Sequence, residues 1–170
     1  ETVFSEGDKP QGIYRVENGW IKLTRVSSNG REVITELLFP GDFFDVPSLL
    51  GEQPYVVSAS SLSTRAARCT FFGCRTLSVG GDVLQAAYSQ CLQRIAWQRQ
   101  MMAALATERV EMRTLLVLEM LARRGGSIKG GRWAIPMPLT RLEFAELIGT
   151  STETAIRALS ELRRSGLICE

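Results

Sequence analysis

Leu139-Thr140-Arg141-Leu142-Glu143-Phe144-Ala145-Glu146-Leu147-Ile148-Gly149-Thr150-Ser151-Thr152-Glu153-Thr154-Ala155-Ile156-Arg157-Ala158-Leu159 reads as two short helices joined by a tight turn. Thr140 with Glu143, and Thr150 with Glu153, have the capping-box spacing, in which hydroxyl and carboxylate each satisfy an orphan amide at a helix start. Leu142, Ala145, Leu147 and Ile148 form the inward side of the first helix. Ala155, Ile156, Leu159 and Leu162 do the same for the second. Gly149 sits where the chain must turn sharply, and Gly166, after Arg163 and Arg164, is a helix stop. Two helices joined by a turn of about 3–4 residues, often with Gly, make a helix-turn-helix.

The second helix presents a polar leading face, which suits the DNA major groove. Ser151, Thr152, Glu153, Thr154 and Arg157 point outward. Glu153 and Arg157 are four apart and share one face. An Arg donates two parallel hydrogen bonds to guanine O6 and N7, and a Glu accepts from the cytosine amine. With Thr152 beside them, these are the candidates for base readout. Thr140, Arg141, Ser151 and Thr154 are candidates for phosphate contact, which positions a helix without reading sequence. The plainer reading is an exposed helix with one Glu153–Arg157 surface pair worth a few tenths of a kcal/mol. The context upstream decides between them.

Upstream, residues 1–81 read as short strands. Ile13–Val16, Gly19–Arg25 and Glu32–Leu38 are β-rich, bounded by turn signals at Gly7-Asp8, Asn18-Gly19, Ser28-Asn29-Gly30 and Pro40-Gly41-Asp42. Val56–Ala67 and Arg68–Phe72 add further strand-like sequence. Regular short strands of this kind predict a jelly-roll β-barrel.

From Asp82 to Glu108 there is neither Gly nor Pro. Leu84, Tyr88, Cys91, Ile95, Gln98, Met102 and Leu105 follow alternating steps of four and three. That heptad seam predicts a dimerisation helix over 82–109, spanning roughly 40 Å at about 1.5 Å per residue. Val83, Ala87, Leu92 and Ala96 widen its apolar side. A single helix lying on its own barrel is the alternative. Val110–Arg124 predicts another amphipathic helix, with a candidate hinge near Thr107–Glu111. A loop with a short strand at Arg132–Pro136 then leads into the helix-turn-helix domain, taken as 110–170.

Bulk properties narrow the function. The chain has 170 residues and a formal net charge of +2. Residues 1–80 carry 8 basic and 9 acidic side chains, and residues 81–170 carry 12 and 9. The shift favours DNA contact from the C-terminal part. There is no histidine, so the usual metal ligand of a cupin-type barrel enzyme is missing, and so is a histidine-ligated haem. Cys69, Cys74, Cys91 and Cys169 include no C-x-x-C pair, which argues against zinc. No catalytic or metal-binding residue is assigned. No stretch has the length and apolarity of a membrane span, and a cytoplasmic location is expected.

A barrel, a long helix and a helix-turn-helix in this order, with particular motifs, resemble the cyclic-AMP receptor protein/FNR superfamily of bacterial transcription regulators. The barrel motifs are Phe4-x-x-Gly7-Asp8, Tyr14-x-Val16-x-x-Gly19-x-Ile21-Lys22-Leu23 and Pro40-Gly41-Asp42-Phe43-Phe44. The C-terminal ones are Leu139-Thr140-Arg141-x-Glu143 and Glu153-Thr154-x-x-Arg157. The resemblance implies an α+β chain: a cyclic-nucleotide-binding-like barrel, a dimerisation helix and a winged helix-turn-helix. It also implies a homodimer on a palindromic DNA site, regulated by an effector, with RNA polymerase as a further partner. On this resemblance, the chain is expected to start at the first barrel strand and to stop where relatives continue into the wing.

The resemblance departs at the readout and effector positions. The cyclic-AMP branch carries Arg before the readout Glu, where this chain has Thr152. The FNR branch carries Ser before its Arg, where this chain has Ile156. The Gly-Glu and Arg-Ser that grip cyclic nucleotide correspond here to Asp45-Val46 and Val57-Ser58. Those four are the candidate effector residues, and the loss of Glu and Arg argues against cyclic AMP. Cys69 lies near a cluster-ligand position of the FNR branch, but no upstream cysteines accompany it. Trp20, Phe39, Phe43, Phe44 and Tyr55 are candidates for an apolar pocket or for core. A redox-sensing regulator, through an iron–sulfur cluster or a Cys91 switch, and a dimeric module that binds no DNA stay open as alternatives.

Overall fold

The computed structural model describes residues 1–46, 53–62, 67–73 and 81–169. Among the described residues seven strands come first: β1 (Thr2–Phe4), β2 (Gly12–Asn18), β3 (Ile21–Val26), β4 (Glu32–Leu38), β5 (Phe43–Phe44), β6 (Ser58–Ser61) and β7 (Arg68–Gly73). They form two antiparallel sheets, ordered β1-β6-β3-β4 and β5-β2-β7. Alternation places Ile21 and Leu23 inward on β3, and Val16, two residues after Tyr14, inward on β2. Phe4, Val16, Ile21, Leu38, Phe44, Tyr55 and Ala59 pack as one core between the sheets. Of the Val56–Ala67 expectation, the described residues form β6; residues 63–66 lie outside the described residues.

The Pro40-Gly41-Asp42 signal has a definite physical role. Gly41 takes φ +93, a left-handed conformation open to glycine. The buried Asp42 carboxylate accepts from Phe39 N at 2.8 Å. The Gly41 amide donates to Val16 O, and Asp42 O accepts from Val16 N. The turn is thereby fixed to β2, and β5 follows it directly.

Helix α1 (Gly81–Thr107) is followed by α2 (Val110–Gly125), with Arg109 as its N-cap residue. The break falls within the Thr107–Glu111 stretch. A two-stranded hairpin, β8 (Ser127–Lys129) with β9 (Arg132–Ala134), comes next; β8 carries no clear strand signal in the sequence. Helices α3 (Arg141–Leu147) and α4 (Thr152–Arg164) complete the chain. Two compact units result, Glu1–Gln98 and Arg99–Glu170. The division falls inside α1.

Within the first unit, α1 docks on the barrel through polar side chains one turn apart. Gln90 Oε1 accepts from Phe43 N at 2.8 Å, and Gln90 Nε2 donates to Gly41 O at 3.1 Å. Arg94 donates to Phe43 O and pairs with Glu36 at 2.7 Å. Gln98 donates to the second Glu36 oxygen at 3.3 Å. Ala87 is fully buried with Ile13, Phe43 and Val46, and Val83 packs against them. Ala87 and Val83 therefore serve their own barrel rather than widening the apolar side.

Candidate nucleic-acid interface

The two C-terminal helices start on well-formed caps. Thr140 caps α3: its hydroxyl accepts from Glu143 N at 3.1 Å, and Glu143 Oε2 accepts from Thr140 N at 2.9 Å. Glu143 is only 2% exposed, so this capping box lies inside the fold. The second expected box does not form. Ser151, not Thr150, caps α4, and its Oγ accepts from Thr154 N at 3.3 Å. The turn between the helices leaves Thr150 one residue too early, with its amide donating to Ala145 O.

The inner faces also differ in detail. Phe144, Ala145, Leu147 and Ile148 are buried, whereas Leu142 is 58% exposed. On α4, Ala155, Ala158 and Leu162 are buried, and Ile156 and Leu159 are half-buried. Both α2 and α3 pack on α4. Small alanines at 155 and 158 let α4 approach its neighbours closely.

That packing leaves a polar face free. Ser151, Glu153 and Arg157 are exposed, and Thr152 and Thr154 are half-buried beside them. Among the described residues no ion pair joins Glu153 to Arg157. Neither side chain is therefore tied to the other, and both are exposed. The Ser151 and Thr154 hydroxyls lie 3.0 Å apart. One proton serves that contact, and the other hydroxyl keeps its own donor. Thr140 and the exposed Arg141 line a groove of about 350 Å³ shared with Ile156, Ser160 and Arg163 of α4. The structure thus brings the candidate phosphate residues of both helices to the flanks of one helix-turn-helix.

The seam residues are less uniform. Tyr88 (61%), Ile95 and Met102 (67%) are exposed, Leu84 and Cys91 are half-buried, and Gln98 reaches Glu36 of its own sheet. Leu105 lies beside Gly149, as the Cβ geometry there makes plain. The periodicity found an apolar stripe, but polar residues that it ignores dock the helix beside that stripe.

The effector candidates do not all share one core cluster. Asp45 is half-buried at φ +59. Val46 packs with Ile13, Phe43 and Ala87, while Val57 packs with the central barrel core. Ser58 Oγ accepts from Glu6 N at 2.9 Å. Sequence reasoning named Tyr55 only as apolar lining or core and missed its pairing with Asp45 and Tyr14. Burial pushes the Tyr55 hydroxyl well above its usual range, and the neighbouring Asp45 carboxylate, which is hydrogen-bonded to it, adds to the rise. Burial likewise raises Tyr14, partly offset by its hydrogen bond with Tyr55. Phe39, Phe43, Phe44 and Tyr55 are core, and Trp20 lies 4.5 Å from Phe39 between ring centroids. Among the described residues no group of three or more Cys, Asp or Glu side chains could hold a metal ion, and no helix is long and apolar enough to cross a membrane.

Residues 1–72 match the cyclic nucleotide-binding domain model, and residues 112–170 match the Crp-like helix-turn-helix domain model. The chain is 29% identical to the CRP-like cAMP-activated global transcriptional regulator of Mycobacterium tuberculosis, over 98% of this chain and 75% of that protein. It is 27% identical to the nitrogen fixation regulation protein FixK of Bradyrhizobium diazoefficiens, covering 99% of this chain and 70% of FixK. A CRP-family transcriptional regulator from Thermus thermophilus superposes with a TM-score of 0.80 at 22% identity, covering 100% of this chain and 84% of that one.

Proposed function

We propose, given that this chain belongs to the CRP/FNR superfamily of transcription regulators, that it reads a palindromic operator as a homodimer through Glu153, Arg157 and Thr152. The chain is a DNA-binding regulator with an effector-sensing domain, and its relatives are named as regulators rather than enzymes. The finer statements are this reading's own. Thr140, Arg141, Ser151 and Thr154 hold phosphates. The barrel over 1–81 senses, the helix over 82–109 pairs two chains through Leu84, Tyr88, Cys91, Ile95 and Met102, and residues 110–170 bind DNA. RNA polymerase is the further partner, and the cytoplasm is where such a protein meets its operator.

The observation that carries the reading is the capped α4 with Glu153 and Arg157 exposed and unpaired to each other on one face. A helix packed on α2 and α3 through alanines, with a free acid and a free base outward, is built to meet base edges in the major groove. The effector is not carried over from any relative. Asp45-Val46 and Val57-Ser58 replace the groups that grip an anionic phosphate, and Asp45 adds a carboxylate where anions would be held. Selection of bound duplexes from a random DNA pool tests the reading. A two-fold symmetric site is the expected outcome. A bound pool without enrichment, with and without candidate effectors, would overturn it.

A further inference from the structure

Leu105 is the last position of the heptad stripe, yet its side chain meets the turn between α3 and α4. A Cβ built on Gly149 would stand 2.7 Å from Leu105 Cδ2 and 3.6 Å from Arg113 Nη1. Gly149 has φ +67, so glycine is favoured there both by conformation and by the Leu105 methyl that fills the space beside it. From the α2 side, Arg113 Nη1 donates to Gly149 O at 3.4 Å. Arg113 Nε is buried and makes no hydrogen bond among the described residues. A buried donor left unpaired is costly, and packing alone does not favour an arginine at this place. Three elements, the end of α1, α2 and the turn, therefore converge on one glycine.

The consequence runs into α4. Two residues after Gly149, Ser151 caps the helix, and Glu153 follows within its first turn. A change at Gly149 alters the direction in which α4 starts, and with it the placement of Glu153 and Arg157. We propose that Leu105 and Arg113 are positioning residues for DNA readout, which clamp the turn at Gly149 and so set the entry angle of α4. The inference rests on the DNA-reading function proposed above, and it assigns Leu105 to the turn rather than to pairing of two long helices.

The test uses the full chain with Leu105→Ala and Leu105→Met. Hydrogen exchange on the free protein comes first, since it needs no DNA. Amides of residues 149–154 are expected to exchange faster in Leu105→Ala and at the wild-type rate in Leu105→Met, which refills the contact. Unchanged exchange in Leu105→Ala would overturn the clamp. Binding to the selected palindrome and to a random duplex of equal length follows. Leu105→Ala is expected to lose about tenfold in preference for the palindrome, the scale of one base contact, with random-duplex affinity and sedimentation unchanged. Loss in step with dimer dissociation would return Leu105 to the seam and overturn the proposal. A wild-type chain without preference would remove the DNA reading and this inference together, whereas a discriminating wild type matched by Leu105→Ala would remove this inference alone.

Discussion

Arg94 Nε lies 2.7 Å from Glu36 Oε1, and the two side chains are only 12% and 10% exposed. The pair joins α1 to β4, and Arg94 also donates to Phe43 O on β5. Little water reaches it, so removing one partner strands the other charge. Arg94→Ala is expected to destabilise the Glu1–Gln98 unit by about 3–5 kcal/mol. The double variant Glu36→Leu/Arg94→Met is expected to recover most of that, because it leaves no buried charge behind. Urea unfolding followed by tryptophan fluorescence measures both. Equal losses in the single and double variants would show that the packing of α1, rather than the charge pair, carries the effect.

Three weakly acidic groups give the barrel a definite response to alkali. Burial, and then the charge of Glu17, raise the Cys69 thiol above its ordinary 9.0. Burial also raises Tyr14 and Tyr55 above 10.0. In each case the folded state favours the protonated form, and the unfolded chain ionises first. The stabilisation is complete below pH 9 and declines as pH climbs through the ordinary thiol value and then the phenol range. Cys69→Ala is expected to remove the first part of that decline and leave the tyrosine part. Thermal midpoints measured from about pH 7 to about pH 11 check the sign; a midpoint rising with pH would contradict it.

Local chemistry was the most legible part of the sequence. The Thr140–Glu143 box and the Pro40-Gly41-Asp42 turn depend on residues three or fewer apart, and both stand where their spacing put them. Register across a turn was less legible. Thr150 and Ser151 are both good caps with a polar residue three positions on, and only the turn at Gly149 decides between them. Periodicity fell short in a different way on α1. It located the stripe of Tyr88, Ile95 and Met102, but the docking face is built from Gln90 and Arg94, which an apolar pattern passes over. Their partners Glu36 and Phe43 stand at least 47 residues away in sequence, beyond the reach of any local signal.

The choice of cap is open to direct measurement. Ser151→Ala removes the acceptor of Thr154 N and is expected to cost about 1 kcal/mol. Thr150→Ala retains the backbone bond from Thr150 N to Ala145 O and is expected to cost less. Chemical denaturation of the two variants side by side gives the order. The reverse order would place the start of α4 one residue earlier.

On the proposed function, Arg157 and Arg141 are expected to separate sequence reading from phosphate holding. Both are exposed, but Arg157 stands on the outward face of α4 and Arg141 at the first position of α3. An arginine on base edges discriminates, because the wrong base leaves its donors unpaired. An arginine on phosphate meets the same group at every step of the duplex. Arg157→Ala is therefore expected to cost roughly 1–3 kcal/mol on the selected operator and to relax preference at one base pair of each half-site. Arg141→Ala is expected to weaken all duplexes alike and to lower the salt slope by about 1 per chain. Anisotropy titrations of operator and single-base variants, at several salt concentrations, distinguish the two. Unchanged discrimination in Arg157→Ala would remove Arg157 from base readout, and a sequence-dependent loss in Arg141→Ala would move Arg141 from the phosphates to the bases.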